Sequence, residues 1–119
     1  LLDRLSVSMS SFMTDLENQG LADDVIVMTT SEFGRRTYEN GAFGTDHGSA
    51  APHFILGNNL NSSIFGGEPD LINLDNNQNL QHNLDYRQIY ASLMTGWFGH
   101  SEETIQSVFD QNFSTLDIF

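Results

Sequence analysis

The sequence has no cysteine, no lysine and only two prolines among its 119 residues. The absence of cysteine excludes disulfide bonds, thiolate metal ligands and a cysteine nucleophile. The four basic residues are all arginines and stand against 16 acidic residues, which gives a formal net charge of −12. Because no basic stripe is present to neutralise phosphates, neither nucleic acid nor an anionic membrane surface is an expected partner. No apolar run approaches the ~20 residues that a membrane-spanning helix needs.

Apolar residues are present in ordinary amounts, at 39% of the sequence with nine phenylalanines. This content is sufficient for the core of one compact domain rather than a disordered chain. The sequence does not begin with methionine and opens inside a helical pattern. We therefore expect residues 1–119 to be a fragment, or the tail of a longer protein.

The first half of the sequence predicts one helix and two short strands. Apolar residues at helical spacing predict an amphipathic helix from Leu1 to Gln19, and Gly20 is a typical C-terminal stop. Leu1, Leu5, Phe12 and Leu16 fall on one face of this helix, with Met9 between them. The apolar runs 25–30 and 52–57 predict buried strands, and helix, loop and strand together indicate half of a parallel α/β unit.

The second half begins with a long polar connection and ends in helices. Residues 58–83 are rich in Asn, Ser and Gly and predict a loop, in which 63–65 would form a small strand. Asp85 and Gln88 have the spacing of a capping box, and apolar periodicity continues as far as Gly99. Ser101 is expected to cap a further helix, and the apolar tail to Phe119 is expected to dock. The inner face of that last helix is predicted to be Ile105, Val108 and Phe109.

Polar side chains concentrate in residues 31–48, directly after the first predicted strand. Glu32 stands where a carboxylate can serve as metal ligand or general base. Arg35 and Arg36 follow it, and the arginine guanidinium group suits bidentate binding of anions. The alternative is an Arg–Glu pair that only holds the loop in place.

Asp46 and His47 form the second polar group of this loop. Gly44 and Gly48 flank the pair, and their backbone freedom would let both side chains turn toward one point. Oxygen and nitrogen ligands from one loop suit a divalent ion such as Zn or Mn. The alternative is an ordinary turn with local Asp hydrogen bonds and an exposed histidine. His82, ahead of Asp85, is the candidate third ligand, and an exposed loop histidine is its alternative.

Three stretches carry a family resemblance: VIVMTTSEFGRR, ENGAFGTDHGSAAPHFILG and LDYRQIYASLMTGWFG. Together they closely resemble the C-terminal part of the "domain of unknown function 1501" family, which is placed in the alkaline phosphatase/sulfatase superfamily. The combination of SEFGR and GTDHG at this spacing carries most of the specificity. The resemblance covers nearly the whole chain, and it implies that residues 1–119 are the C-terminal portion of a single domain whose upstream part is missing.

The resemblance implies an α/β fold, namely part of a three-layer α/β/α sandwich with a mostly parallel sheet. It also implies hydrolysis of phosphate or sulfate esters with a divalent metal ion (Zn, Mn or Ca) held by Asp and His. Glu32-Phe33 stands where Asp-His is more usual, a departure that puts the first metal pocket in question. The nucleophile of such proteins lies upstream of these residues. Relatives are commonly exported, so a periplasmic or secreted location is implied.

The leading hypothesis is therefore an exported metal-dependent hydrolase-like protein acting on a small anionic ester. Its partners would be the rest of its own domain or a second copy of the chain. Its catalytic residues would be Glu32 and Arg35, and its metal ligands Glu32, Asp46, His47 and His82. The alternative is a non-catalytic exported binding or assembly protein that keeps the same fold. Aromatic residues near the end, Phe109, Phe113 and Phe119, would then form an interface.

Overall fold

The computed structural model describes residues 2–61 and 63–119. These residues divide into two compact units, one of residues 2–29 and 53–60, the other of residues 30–52, 61 and 63–119. The elements in chain order are α1 (Leu2–Gln19), β1 (Val27–Met28), β2 (Gly34–Arg35), β3 (His47–Gly48), β4 (Ile55–Leu56), α2 (Tyr86–Ser92) and α3 (Glu102–Phe109). A 3-10 turn at Ala22–Asp24 follows α1, and a π-helical turn at Leu93–Trp97 follows α2.

Helix α1 ends where the sequence predicts, although Leu1 lies outside the described residues. Gly20 adopts a φ of 69°, and Leu21 N–H donates to the carbonyl of Leu16 at 2.9 Å while Gly20 N–H donates to that of Glu17 at 3.1 Å. These two bonds are the Schellman termination that glycine permits without steric cost.

The predicted apolar face of α1 is only partly buried. Leu16 is 6% exposed, whereas Leu5 and Phe12 are 41% and 48% exposed. Amphipathic spacing shows which side chains share a face of a helix, but burial requires another element to cover that face. Among the described residues, no helix is long and apolar enough to cross a membrane.

The expected three-layer α/β/α sandwich with a mostly parallel sheet is wrong. Strand β1 pairs with β4 antiparallel, with Val27 opposite Leu56, and β2 pairs with β3 antiparallel. Within the described ranges these are two separate sheets of two strands each. A parallel pair needs a crossover that returns the chain to the same end of the sheet, usually a helix. Here the chain between β1 and β4 forms the β2–β3 hairpin instead, so the second strand returns in the opposite direction.

The strands are also shorter than the apolar runs that predicted them. The first pair continues beyond β1 through Thr29, whose N–H donates to the carbonyl of Phe54 at 2.9 Å. His53 Nδ1 lies 2.9 Å from the Thr29 carbonyl, which can only accept, so the ring donates from Nδ1. His53 is thus a half-buried histidine whose ring is fixed by the backbone of the neighbouring strand. Residues 63–65, predicted as a small strand, form none.

Helix α2 starts at the predicted capping box. Asp85 Oδ1 accepts from Arg87 N–H at 2.9 Å, and Gln88 Oε1 accepts from Asp85 N–H at 3.1 Å. The helical path reaches Gly99, which has a φ of 68°. It does so through the π-helical turn, where Phe98 N–H donates to the Leu93 carbonyl at 3.1 Å.

Helix α3 and the segment after it complete the core of the second unit. Ser101 Oγ caps α3 by accepting from Thr104 N–H at 3.4 Å, as predicted. Ile105 is 3% exposed, but Val108, predicted for the same face, is 57% exposed. The docking of the C-terminal segment is confirmed by Ile118, which is 3% exposed. The buried residues of this unit are Ala91, Ser92, Ile105 and Ile118, together with the backbone of Gly34.

Candidate functional site

The candidate site is the hairpin formed by β2 and β3, which brings the two polar groups of residues 31–48 together. Gly34 lies opposite Gly48 and Arg35 lies opposite His47. A Cβ at Gly34 would lie 1.7 Å from the carbonyl oxygen of Ala50. The hairpin therefore closes only because a residue without a side chain stands at position 34. The hairpin thus sets Arg35 of the first polar group beside His47 of the second.

The turn of the hairpin is organised by Asn40. Its Oδ1 accepts from the N–H groups of Ala42 and Gly44 at 3.0 and 3.1 Å, and its N–H donates to the Gly44 carbonyl at 2.8 Å. The left-handed residue of the turn is Phe43, with a φ of 58°, and not one of the flanking glycines. Side-chain-to-backbone bonds of this kind are the reason asparagine is common in turns.

Asn40 also fixes Asp46, a role that the sequence-based reasoning missed. Asn40 Nδ2 donates to Asp46 Oδ1 at 2.9 Å, across the turn. The Asn40-Gly41 dipeptide is a turn signal that pointed to this position. The Asp46 carboxylate is therefore already engaged within the hairpin, and its main-chain carbonyl accepts from Arg36 N–H at 3.0 Å.

One exposed face of the hairpin carries Phe33, Arg35 and His47. Residues directly opposite in an antiparallel pair share a face, as do residues two apart along a strand. The rings of Phe33 and His47 are stacked, with centroids 3.8 Å apart and 19° between the planes. The guanidinium carbon of Arg35 lies 5.3 Å from the Phe33 ring centroid, and its Nη1 donates to the Thr45 carbonyl at 2.8 Å. We call these three side chains the cationic face.

Glu32 does not join this arrangement. Its side chain is exposed, and the ion pair found among the described residues is that of Arg87 with Asp85. The buried Glu32–Arg35 pair, which would have favoured a purely structural role for the two residues, is therefore not formed in the described part of the chain. Arg35 instead bonds the Thr45 carbonyl and remains exposed.

The structure separates the two side chains of Asp46 and His47. The carboxylate bonds Asn40, while the imidazole stacks on Phe33. Within residues 2–61 and 63–119, no three His, Asp or Glu side chains are grouped as metal ligands. The described residues alone thus do not fit a divalent ion, and the metal-ligand assignment of Glu32, Asp46, His47 and His82 stays a prediction.

His82 lies in the segment that leads from the hairpin to α2. Ser49 Oγ donates to the Leu80 carbonyl at 2.8 Å, which fixes this segment to the hairpin just after β3. The His82 side chain is exposed, and its charge is one of the influences that lower the pKa of Asp85. The structure therefore relates His82 to the start of α2 and gives it no shared ligand group with Asp46.

The second arginine of the hairpin has an unused donor. Arg36 Nη1 donates to the hydroxyl of Tyr38 at 2.5 Å, but its Nε is buried and has no hydrogen-bond partner among the described residues. The pKa of Asp75 is lowered chiefly by the hydrogen bond from the backbone of Asn79, and also by the Arg36 charge. A buried donor without a partner carries a desolvation penalty, which an oxygen ligand at this point would relieve.

At the start of α2, the side-chain hydrogen bond from Arg87 lowers the pKa of Asp85 from 3.8 to about 2. The ionised carboxylate therefore stabilises the folded chain above pH 3.8, and this contribution is lost as the pH falls toward 2. Asp85→Asn keeps an equivalent cap but removes the charge. We expect wild type to exceed Asp85→Asn in free energy of unfolding near neutral pH, and the difference to vanish as the pH approaches 2.

Urea unfolding followed by the fluorescence of Trp97, the sole tryptophan, measures this difference at each pH. The subtraction cancels the other carboxylates, since they are common to both proteins. A difference that is independent of pH would contradict the assignment.

Comparison with known proteins gives one match. A family model described as "Protein of unknown function (DUF1501)" matches residues 1–109. No curated protein and no solved structure matches the chain. The matched range includes the first compact unit, the whole β2–β3 hairpin and helices α1 to α3, and it ends before the last ten residues of the second unit. The chain therefore belongs to the family of proteins of unknown function DUF1501.

Proposed function

We propose that this chain carries the anion-binding hairpin of an exported hydrolase-like protein that acts on phosphate or sulfate esters. The observation that carries the proposal is the register of β2 and β3, which sets Arg35 directly opposite His47. Two nitrogen-bearing side chains thereby share one exposed face in a chain of formal net charge −12. Relationship to the alkaline phosphatase/sulfatase superfamily, and export, are parts of this proposal that rest on the sequence motifs.

The cationic face suits an ester oxyanion for three reasons. Arg35 Nη1 donates to the Thr45 carbonyl. The other nitrogens of this exposed side chain remain as charge-assisted donors for phosphate or sulfate oxygens. The His47 ring, held against Phe33, adds a donor on the same side. Finally, the bond from Arg35 to the Thr45 carbonyl and the stacking of His47 on Phe33 already restrict these side chains, which limits the entropy lost when an anion orders them.

Within this proposal Glu32 is the candidate general base, because it precedes the cationic face by one residue and is exposed. Asp46 is the candidate metal ligand whose orientation Asn40 already fixes. A divalent ion would neutralise ester charge. Since the described residues do not complete the ligand set of this ion, the proposal rests on binding of the anion by the hairpin and routes no reaction step through the ion.

A non-catalytic binding or assembly role is the second candidate. It is favoured by large apolar side chains on the surface, notably Phe43, which is 90% exposed at the tip of the hairpin turn. The aromatic residues first suggested for such an interface are less suited to it. Phe109 and Phe113 pack edge to face at 5.6 Å, and Phe119 stacks with Trp97 at 6.2 Å.

The proposal predicts that sulfate and inorganic phosphate bind the hairpin and that Arg35→Gln weakens this binding roughly ten-fold, the loss of about one charge-assisted hydrogen bond. Titration followed by the amide resonances of residues 33–48 measures both affinity and location. Arg4→Gln removes the same charge from α1, in the other compact unit, and serves as the control for net charge. Equal weakening of anion binding by both substitutions would show that the effect comes from the net charge of the chain. It would contradict an anion-binding site at the hairpin.

The hydrolase part requires a separate assay. The gene product in its complete form is tested against p-nitrophenyl phosphate and p-nitrophenyl sulfate, with and without a chelator. Turnover that is lost on chelation and reduced by Arg35→Gln supports the metal-dependent hydrolase. Anion binding without turnover of either ester would favour the non-catalytic binding or assembly role.

A further inference from the structure

Residues 114–119, which we call the tail, pass along α2 and the π-helical turn without forming helix or strand. The shortest hydrogen bonds between the tail and the rest of the described chain fall at every second residue, and Asn61 Nδ2 also donates to Asp117 at 3.4 Å. The shortest bonds join Gln88 Nε2 to Ser114 Oγ at 2.7 Å, Leu116 N–H to Ser92 Oγ at 2.8 Å, and Asn61 N–H to the Ile118 carbonyl at 2.8 Å. Alternate anchoring of this kind is how proteins recognise an extended peptide, with pockets for the intervening side chains.

Ser92 is the central anchor. Its side chain is 2% exposed, and its hydroxyl donates to the Gln88 carbonyl at 2.6 Å while it accepts from Leu116 N–H. A buried hydroxyl is costly without partners. One of the two bonds that satisfy Ser92 therefore depends on a backbone group that the tail supplies.

The end of the tail fills a slot made by a glycine. A Cβ at Gly96 would lie 2.2 Å from the Phe119 ring, so the absence of a side chain makes room for the aromatic ring. Phe119 stacks on Trp97, and Ile118 is among the most buried residues of the chain. We call the surface formed by Asn61, Gln88, Ser92, Thr95, Gly96 and Trp97 the tail groove.

An open recess of about 320 Å³ runs between the tail and its groove. It is lined by Ser92, Thr95 and Gly96 on one side and by Thr115, Leu116, Asp117 and Phe119 of the tail on the other. The tail is thus held by its anchors and by the buried side chain of Ile118, while solvent reaches the groove beside it.

We propose that the tail groove is a binding site for an extended peptide of the Ser-Thr-Leu-Asp-Ile-Phe type, and that a second copy of this chain supplies the peptide by exchanging tails. The residues that lead into the tail form the hinge: α3 ends at Asp110 with a φ of 59°, and residues 111 and 112 are exposed. Because every contact of the tail is the same within one chain or between two, exchange requires only a changed hinge. Residues 110–119 lie beyond the range matched by the family model.

The charge of the chain predicts how exchange depends on salt. Each copy carries a formal net charge of −12, so two copies repel one another. Added salt screens this repulsion. Exchange is therefore expected to rise with ionic strength, the opposite of an association driven by ion pairs.

Two copies with single cysteines test the proposal, because the natural chain contains no thiol. One copy carries Asn61→Cys and the other Asp117→Cys, at side chains whose Nδ2 and Oδ1 atoms lie 3.4 Å apart. After mixing, a short bis-maleimide should cross-link the two copies into a covalent heterodimer. The control pair is Asp3→Cys with Asp117→Cys, whose thiols meet only by collision. The heterodimer yield should exceed that of the control roughly ten-fold or more, because docking holds the thiols at an effective concentration near millimolar. The yield should rise with protein concentration and with salt.

Two further experiments test whether the cross-link depends on the tail groove. A peptide of residues 113–119, FSTLDIF, should lower the heterodimer yield when added in excess, whereas a scrambled peptide should not. Gly96→Leu in the Asn61→Cys copy should lower it also, because the new side chain occupies the Phe119 slot. Heterodimer at the collisional level overturns the proposal, and so does heterodimer that the FSTLDIF peptide fails to compete. Neither outcome affects the anion-binding hairpin.

Discussion

Gly34→Ala is expected to open the β2–β3 hairpin and to abolish anion binding by the cationic face. A Cβ at this position would lie 1.7, 2.3 and 2.7 Å from the backbone O, C and N atoms of Ala50. No flexible side chain is available to move aside, so the backbone of residues 48–50 must separate from β2. We expect local destabilisation of about 3 kcal/mol or more, at the upper end for overpacking substitutions. The register that sets Arg35 opposite His47 would be lost with it.

Amide hydrogen exchange measures this effect directly. The Arg36 amide, which bonds the Asp46 carbonyl at 3.0 Å, should lose its protection in Gly34→Ala. Gly41→Ala is the matched control, because a Cβ at Gly41 meets nothing within 4 Å. The same titration with sulfate should show binding in the control and none in Gly34→Ala. Unchanged protection of the Arg36 amide in Gly34→Ala would rule out the hairpin as described.

Ile105→Ala is expected to cost the second compact unit about 2–4 kcal/mol, the range for truncation of a buried isoleucine. Ile105 is 3% exposed on α3, whose cap at Ser101 sets the direction of the helix. Since the unit buries few apolar side chains, the loss of one removes a large share of its hydrophobic stabilisation. Val108→Ala, on the same helix at a side chain that is 57% exposed, is expected to change stability by no more than about 0.5 kcal/mol.

Urea unfolding with Trp97 fluorescence compares the two substitutions in the same unit. Both residues were predicted from the sequence to lie on the inner face of α3. Comparing the two substitutions therefore shows whether the loss of stability follows the helical periodicity or the burial of each side chain. Equal and large losses would show that Val108 is covered in solution. Equal and small losses would show that α3 does not dock through Ile105.

The capping residues illustrate what can be predicted from local sequence. Gly20 ends α1 in a Schellman motif, Asp85 and Gln88 form a capping box, and Ser101 caps α3. Each of these signals joins residues within five positions of one another. The partner is therefore present in the same stretch of sequence, and no distant element has to be known.

The hairpin illustrates a prediction that was right in outline and incomplete in its chemistry. The concentration of polar residues at 31–48 identified the stretch, and the structure shows that it forms the β2–β3 hairpin. The position of His47 against Phe33, and of Asp46 against Asn40, was not predicted. Both follow from the register of the strands, because a shift of one residue would send each side chain to the other face.

The sequence by itself determined where the helices begin and end, which stretch carries the polar chemistry, and the family to which the chain belongs. Only the tertiary structure decided that the strands pair antiparallel, that Leu16 is buried while Phe12 is not, and that Arg35 meets His47. The physical reason is the separation along the sequence of the residues that interact. Caps and helical periodicity are settled between neighbours in sequence, whereas strand direction, burial and the pairing of side chains depend on segments that are distant in sequence and meet only in the folded chain.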